Sequence, residues 1–236
     1  MILASVSEET AADEGFWNTV VLPIAMGVLG PTMGVAPLHC ACLEMNGHGL
    51  LIAGISGAGK STLSTALAQK GAFLISDDWT YVRADMSGIV AHGLRVPVKL
   101  MPDTVRFFPQ LLYENLNISL NGELAYEVDP AKSLGLLVKE SCRPECFVLL
   151  ERQHGLATTM ERLDGAVVRE FFLKSDEKLP PEMRSAEESR SRIIGQVSAM
   201  ECWIFRYGGL PGDGADSLLR LIGEKSDVDR RCATAG

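Results

Sequence analysis

Hydrophobic residues in this chain gather in short unbroken runs, and only a few stretches carry them at helical spacing. The runs Leu38-Met45, Gly49-Ala53, Ala72-Ser76, Cys146-Glu151 and Trp203-Tyr207 have strand length and predict buried strands. Asn46-Gly47 separates the first two and is a strong hairpin signal, so Leu38-Met45 is expected to pair antiparallel with Leu50-Ala53. Trp79-Arg83 and Gly88-His92 predict two more strands, joined at Asp85-Met86-Ser87-Gly88, and Thr158-Leu163 predicts another.

Helical spacing is found in three places. Lys60-Gln69 sets Leu63, Ala66 and Leu67 on one face and stops at Gly71, Val167-Leu173 follows the turn Asp164-Gly165, and Met183-Met200 turns Ile193, Ile194, Val197 and Met200 inward. Phe16-Leu29 also reads as a helix, apolar over so broad a face that the domain should cover most of it, and Ser217-Ile222 as a closing one. Thr104-Leu112 is weakly helical, Leu134-Val138 is a strand or a short helix, Asn121-Gly122 is a turn, and Lys174-Glu182 with Pro180-Pro181 is an exposed loop. Strands alternating with helices and interrupted by hairpins predict an α/β fold around a mixed β-sheet with flanking helices. No repeat is present.

With 236 residues, 47% hydrophobic and 22% charged, the chain suits one domain, expected over residues 16–223 between a flexible N-terminus (1–15) and a flexible tail (224–236). The net charge of −8 argues against nucleic acid as a partner. No Lys or Arg precedes Lys60, so the apolar run Val20-Leu38 lacks the basic flank of a secretory signal. Pro23, Gly27, Gly30, Pro31, Gly34 and Pro37 break that run and argue against a membrane span. The six cysteines are then expected as thiols in a cytoplasmic protein, and the spacing of His39-Cys40-Ala41-Cys42 does not suit zinc.

The chemistry centres on Gly54-Ile55-Ser56-Gly57-Ala58-Gly59-Lys60-Ser61, which meets the phosphate-binding pattern GxxxxGK[ST] (Walker A) at every fixed position, with Thr62 next in line. Its context is also that of a P-loop, a buried strand leading in and a helix leading out. Glycines let successive N–H groups point inward, Lys60 reaches the β/γ-phosphates and Ser61 offers a hydroxyl to Mg²⁺. The expected cofactors are therefore ATP and Mg²⁺. Asp77-Asp78 ends the next strand, where a nucleotide fold needs carboxylates for the metal and for a proton. His39, expected on the strand beside the one feeding the loop, is a further catalytic candidate. A cation for the γ-phosphate is to be sought among Arg95, Lys99, Arg143 and Arg152, with Lys99 preferred.

Leu38-His39-Cys40-Ala41, then Gly47-His48-Gly49-Leu50-Leu51-Ile52, then the loop, then Gly71-Ala72-Phe73-Leu74-Ile75-Ser76-Asp77-Asp78 resemble the catalytic domain of HPr kinase/phosphorylase, and more closely the shorter HPr-kinase-related proteins of bacteria. The resemblance implies a phosphoenolpyruvate-carboxykinase-like mixed sheet and transfer of the γ-phosphate of ATP to a serine hydroxyl of a protein, peptide or small molecule. It implies Asp77 as the base, Asp78 with Ser61 around Mg²⁺, and His39 tuning the pair, with the two aspartates free to exchange roles. It also points to a homo-oligomer. Thr62 stands where the family enzymes usually carry Glu, and the glycine-rich segment tied to phosphorylase activity is not recognisable near Gly93-Lys99, so the kinase direction and an acceptor other than HPr are expected. The competing reading is a non-catalytic ATP-binding module whose nucleotide state a partner reads. The absence of an LSGGQ-like segment speaks against an ATP-binding-cassette subunit.

Overall fold

A computed structural model describes residues 5–119, 122–153, 155, 157–175 and 181–220. The predicted tail 224–236, the first residues of the N-terminus, Asn121, Leu221-Ile222 and most of the loop ahead of Pro181 lie outside those residues. Ser7 caps a short helix, α1 (Glu8–Ala12), by accepting the Thr10 N–H. A second run of helix begins at α2 (Glu14–Phe16), passes through a π-turn at Trp17–Val21 and continues as α3 (Leu22–Leu29). The domain does not cover α3 as its composition predicted: none of its residues is buried, and Leu22 and Ile24 face solvent.

The run Leu38-Met45 is not one strand. It breaks at Cys40, where the Cys40 N–H turns back to the Leu38 carbonyl and Thr80 Oγ1 donates to the Cys40 carbonyl. β1 (Val35–His39) and β2 (Ala41–Met45) thus enter different sheets. β2 and β3 (His48–Ala53) form the predicted hairpin, with Asn46 and Gly47 both at positive φ (54° and 86°), the pair of angles that a two-residue turn matching strand twist requires. α4 (Lys60–Gln69) follows, then β4 (Phe73–Ser76), which pairs antiparallel with β2. β5 (Trp79–Asp85) and β6 (Gly88–His92) make the expected hairpin, but they join β1 in a separate sheet.

The middle of the chain is less regular. β7 (Val98–Leu100), β8 (Leu116–Ile118) and β9 (Leu124–Val128) form a small antiparallel sheet. The weakly helical stretch between β7 and β8 is two 3₁₀ turns, Pro102–Arg106 and Pro109–Tyr113, each opened by proline. Leu134-Val138 is neither strand nor helix; it is irregular and touches β4 through one bridge, Leu74 to Val138. Then come β10 (Ser141–Cys142), β11 (Pro144–Arg152), β12 (Thr159–Arg162), α5 (Gly165–Ser175), α6 (Arg184–Ser198), β13 (Glu201–Tyr207) and a last helix α7 over 211–220, which begins earlier than predicted.

The architecture is mixed α/β. Its six-stranded sheet has the order β12-β13-β11-β3-β2-β4, with β3, β11 and β13 parallel and the other pairings antiparallel; the four-stranded sheet has the order β1-β5-β6-β10. Alternation divides the core. Leu50, Ile52, Val148 and Phe205 pack with Leu63 and Leu67 of α4 on one face, while Leu51, Ala53, Phe147 and Cys202 pack on the other with Val82, Ala91 and Ile194 of α6. Burial on both faces holds β3 rigidly where it hands over to Gly54. Burying a leucine or isoleucine here contributes about 1.5–3 kcal/mol each. No helix among the described residues is long and apolar enough to cross a membrane.

Candidate functional site

The Gly54-Ser61 loop leaves the buried end of β3 and enters α4. A Cβ on Gly54 would stand 2.8 Å from the Leu150 carbonyl oxygen, so only glycine lets the chain pass β11 there. Gly57 and Gly59 take positive φ (79° and 90°), left-handed backbone that glycine adopts freely as the loop turns into α4. Lys60 is 8% exposed and its Nζ donates to the Gly54 carbonyl at 3.1 Å, which folds the ammonium back across the loop. Ile55, Ser56 and Gly57 are exposed, and Ser61 and Thr62 half-buried, so the loop is open to solvent.

Beyond β4, the two aspartates separate at once. Asp77 is buried and turns to α4: Ser64 donates its hydroxyl to Asp77 Oδ1 at 2.8 Å, and Ser61 stands near enough to favour the ionised carboxylate. Burial pushes the Asp77 carboxyl up to about 6, against the pull of Ser64, Ser61 and the Lys60 charge. Asp78 faces outward, with a side chain 59% exposed, and accepts from His39 Nε2 at 2.7 Å. Partial burial would raise its pKa, but the His39 hydrogen bond and charge, then Lys60 and Lys99, outweigh that and hold it below the ordinary value. His39 lies on β1 opposite Trp79, not on the strand beside β3 as expected, and stacks on the Trp79 ring with centroids 5.2 Å apart. The break at Cys40 is what carries it across to Asp78. The Tyr81 phenol is buried near the same carboxylate and pushed up to about 12 by burial and by Asp78.

The basic candidates fall in different places. Arg143 grips Asp85 through two bonds of 3.1 and 2.6 Å, and Arg95 pairs with Glu140 on the surface. Lys99 pairs with Glu123 at 2.7 Å, close enough to Asp78 for its charge to be felt there. Arg152 lies on the other side of the loop, its guanidinium 4.4 Å from the centre of the Tyr207 ring. Sequence reasoning missed Ser64, Glu123 and Tyr207. Ser64 carried a usable signal, since it stands one helical turn after Lys60 on the face that looks back along the loop. Glu123 and Tyr207 carried none: Glu123 meets Lys99 by an ion pair between residues 24 apart, and Tyr207 reaches the loop through the pairing of β13 with β11.

Mg²⁺ takes oxygen ligands and keeps several for phosphates and water, so it asks a protein for only one or two groups. The Ser61 hydroxyl beside the Asp77 carboxylate fits that demand. Among the described residues, no three His, Cys, Asp or Glu side chains converge as a metal site of their own. Cys40, Cys42, Cys142, Cys146 and Cys202 form no disulfide. Cys42 and Cys142 bring their sulfurs to 3.4 Å in the core between the two larger sheets. Beside β4, a cleft of about 450 Å³ is lined by Ser76, Asp77, Arg95, Val98, Asp129 and Lys139 among others.

These features define a mixed α/β protein with a glycine-rich loop between strand and helix and a carboxylate pair beside it. No family model matches the chain, and no curated protein matches it in sequence. Among solved structures, the HPr(Ser) kinase/phosphatase from Coxiella burnetii is similar at 13% identity over 84% of this chain and 94% of that one, with a TM-score of 0.41.

Proposed function

We propose that the protein is an ATP-dependent kinase that transfers the γ-phosphate to a serine hydroxyl of a protein, peptide or small molecule. In this reading Gly54-Ser61 and Thr62 hold the triphosphate through backbone amides, and Lys60 swings from the Gly54 carbonyl to the β/γ-phosphates. The observation that carries the reading is the difference in setting between the two carboxylates. Asp77 is buried against Ser61, where it would hold Mg²⁺ with that hydroxyl, and Asp78 is exposed and held by His39, where an incoming hydroxyl can reach it. The roles are thus the exchange of those first implied by resemblance: Asp78 is the proposed base and Asp77 the proposed metal-side carboxylate.

Bound Mg²⁺ would neutralise charge on the phosphates, and the chain's own groups would do the rest. His39 orients Asp78 and favours its ionised form, ready to take the hydroxyl proton as the O–P bond forms. Lys99 adds positive charge on the acceptor side.

The test uses γ-labelled ATP, Mg²⁺ and candidate acceptors, with wild type beside Asp78→Asn. Transfer is expected to fall about 10²–10⁴-fold in the variant, with ATP affinity kept within about threefold. A variant that transfers as well as wild type removes Asp78 as the base. Wild type that binds ATP and labels no acceptor moves the assignment to a nucleotide-binding module read by a partner.

A further inference from the structure

The flank of the loop opposite the aspartates carries a feature that phosphate chemistry leaves unused. β11 and β13 run parallel to β3, so all three strands end at the same edge of the sheet. Leu149 pairs with Ala53, which places Arg152 level with the loop, and Arg152 in turn pairs with Tyr207. The Tyr207 ring is fully buried, and its hydroxyl points at the loop, 3.5 Å from where a Cβ on Gly59 would stand. That hydroxyl makes no hydrogen bond of normal geometry among the described residues. Arg152 sits over the ring, its guanidinium carbon 4.4 Å from the ring centre, and donates from Nη2 to the Gly209 carbonyl at 3.0 Å, so the guanidinium is held at two points. The side chain is half-buried, with one face on tyrosine and the rest toward solvent.

A triphosphate lying in the loop with its reacting end at Lys60, Ser61 and the aspartates directs its nucleoside away from them, to the β11/β13 flank. What waits there is a planar cation, already held against one aromatic ring and a backbone carbonyl. Such a group offers its free face to an aromatic ring, and stacking of this kind is strongest for a large π-system. We infer that Arg152, on its Tyr207 support, is the platform for the nucleobase of the bound nucleotide and favours a purine. This rests on the proposal that the loop binds a triphosphate, and goes beyond it by assigning the base.

The experiment compares Mg-ATP with Mg-tripolyphosphate, which has the phosphates and no base, by calorimetry on wild type, Arg152→Met and Lys60→Ala. Wild type is expected to bind ATP about tenfold more tightly than tripolyphosphate. Arg152→Met keeps the aliphatic stem; it should lose about that tenfold for ATP and less than about twofold for tripolyphosphate, whose binding also shows that the variant is folded. Lys60→Ala should weaken both ligands together. Equal losses for both ligands in Arg152→Met would make Arg152 a phosphate contact and overturn the inference, as would no loss at all. Should the variant fail to fold, the wild-type ratio decides: equal affinity for the two ligands overturns the base platform and leaves the loop proposal standing. Wild type that binds neither ligand overturns both.

Discussion

The two flanks of the Gly54-Ser61 loop differ in charge and in how the chain builds them. On the β2/β4 side the groups are acidic, Asp77 and Asp78, and they arrive by an antiparallel detour in which β2 separates β3 from β4. On the β11/β13 side the prominent group is cationic, Arg152, and it arrives on parallel strands whose carboxyl ends line up with that of β3. Parallel neighbours bring their ends to one edge automatically, so a single residue at each end suffices. The antiparallel side has no such alignment, and must import His39 from another sheet and Lys99 from a third to complete its constellation. In the proposed kinase the imported side performs the chemistry and the aligned side holds the handle.

Asp78→Asn is the change expected to cost most, since it removes the proposed base and leaves the other flank intact. Lys60→Ala comes next, because Lys60 serves both flanks equally. It should weaken Mg-ATP binding about a hundredfold, as expected for removal of a charge-assisted contact to phosphate. An unchanged dissociation constant would show that the loop, whatever its glycines, does not cradle phosphates. Asp77→Asn should be distinguishable from both. In that variant the Mg²⁺ concentration needed for half-maximal transfer should rise by roughly ten- to a hundredfold, while saturating Mg²⁺ restores much of the rate. If Asp77→Asn instead abolishes transfer at every Mg²⁺ concentration and Asp78→Asn responds to added metal, the roles revert to the order first implied by resemblance.

The unequal construction of the flanks also explains what could be read in the chain beforehand. Gly54-Ser61 and its flanking elements are local, and they were legible because strand, loop and helix follow one another in sequence. Asp77-Asp78 was legible as a doublet at a strand end. The assignment of His39 to the strand beside β3 failed because Leu38-Met45 is largely apolar and carries no turn residue. Nothing in such a run announces that the chain turns at Cys40, since the turn is completed by Thr80, which is forty residues away. The hairpin of β5 and β6 was read correctly as a hairpin and assigned to the wrong sheet for the same reason: turn residues fix local pairing, while sheet membership depends on which long-range face is left to cover. Phe16-Leu29 shows the limit of composition, because its apolar breadth predicted burial and the helix is left partly exposed. The Tyr207 support of Arg152 exists only through the register of β11 on β13, which no local pattern encodes.

The smallest expected effect concerns Asp77 alone and needs no nucleotide. Its carboxyl is raised by burial to about 6 in the folded protein and returns to the ordinary range near 4 when the chain unfolds. The folded state therefore binds the more tightly held proton between those values. By linkage, the stability that this proton supplies is fully present below about pH 4 and is lost as the pH rises through about 6. In metal-free buffer, wild type should lose about 2 kcal/mol of unfolding free energy from this residue between pH 4 and pH 7.5. Asp77→Asn, which cannot ionise, should lack that component, so the difference between the two denaturation curves should widen in favour of the variant as the pH rises. Adding Mg²⁺ at pH 7.5 should narrow it again if Asp77 is the metal-side carboxylate, because a bound cation stabilises only the ionised form. A difference between the curves that is flat with pH would mean that Ser61 and Ser64 already satisfy the charged carboxylate in full. The hydrogen bonds and the Lys60 charge on the acidic flank would then cancel the effect of burial.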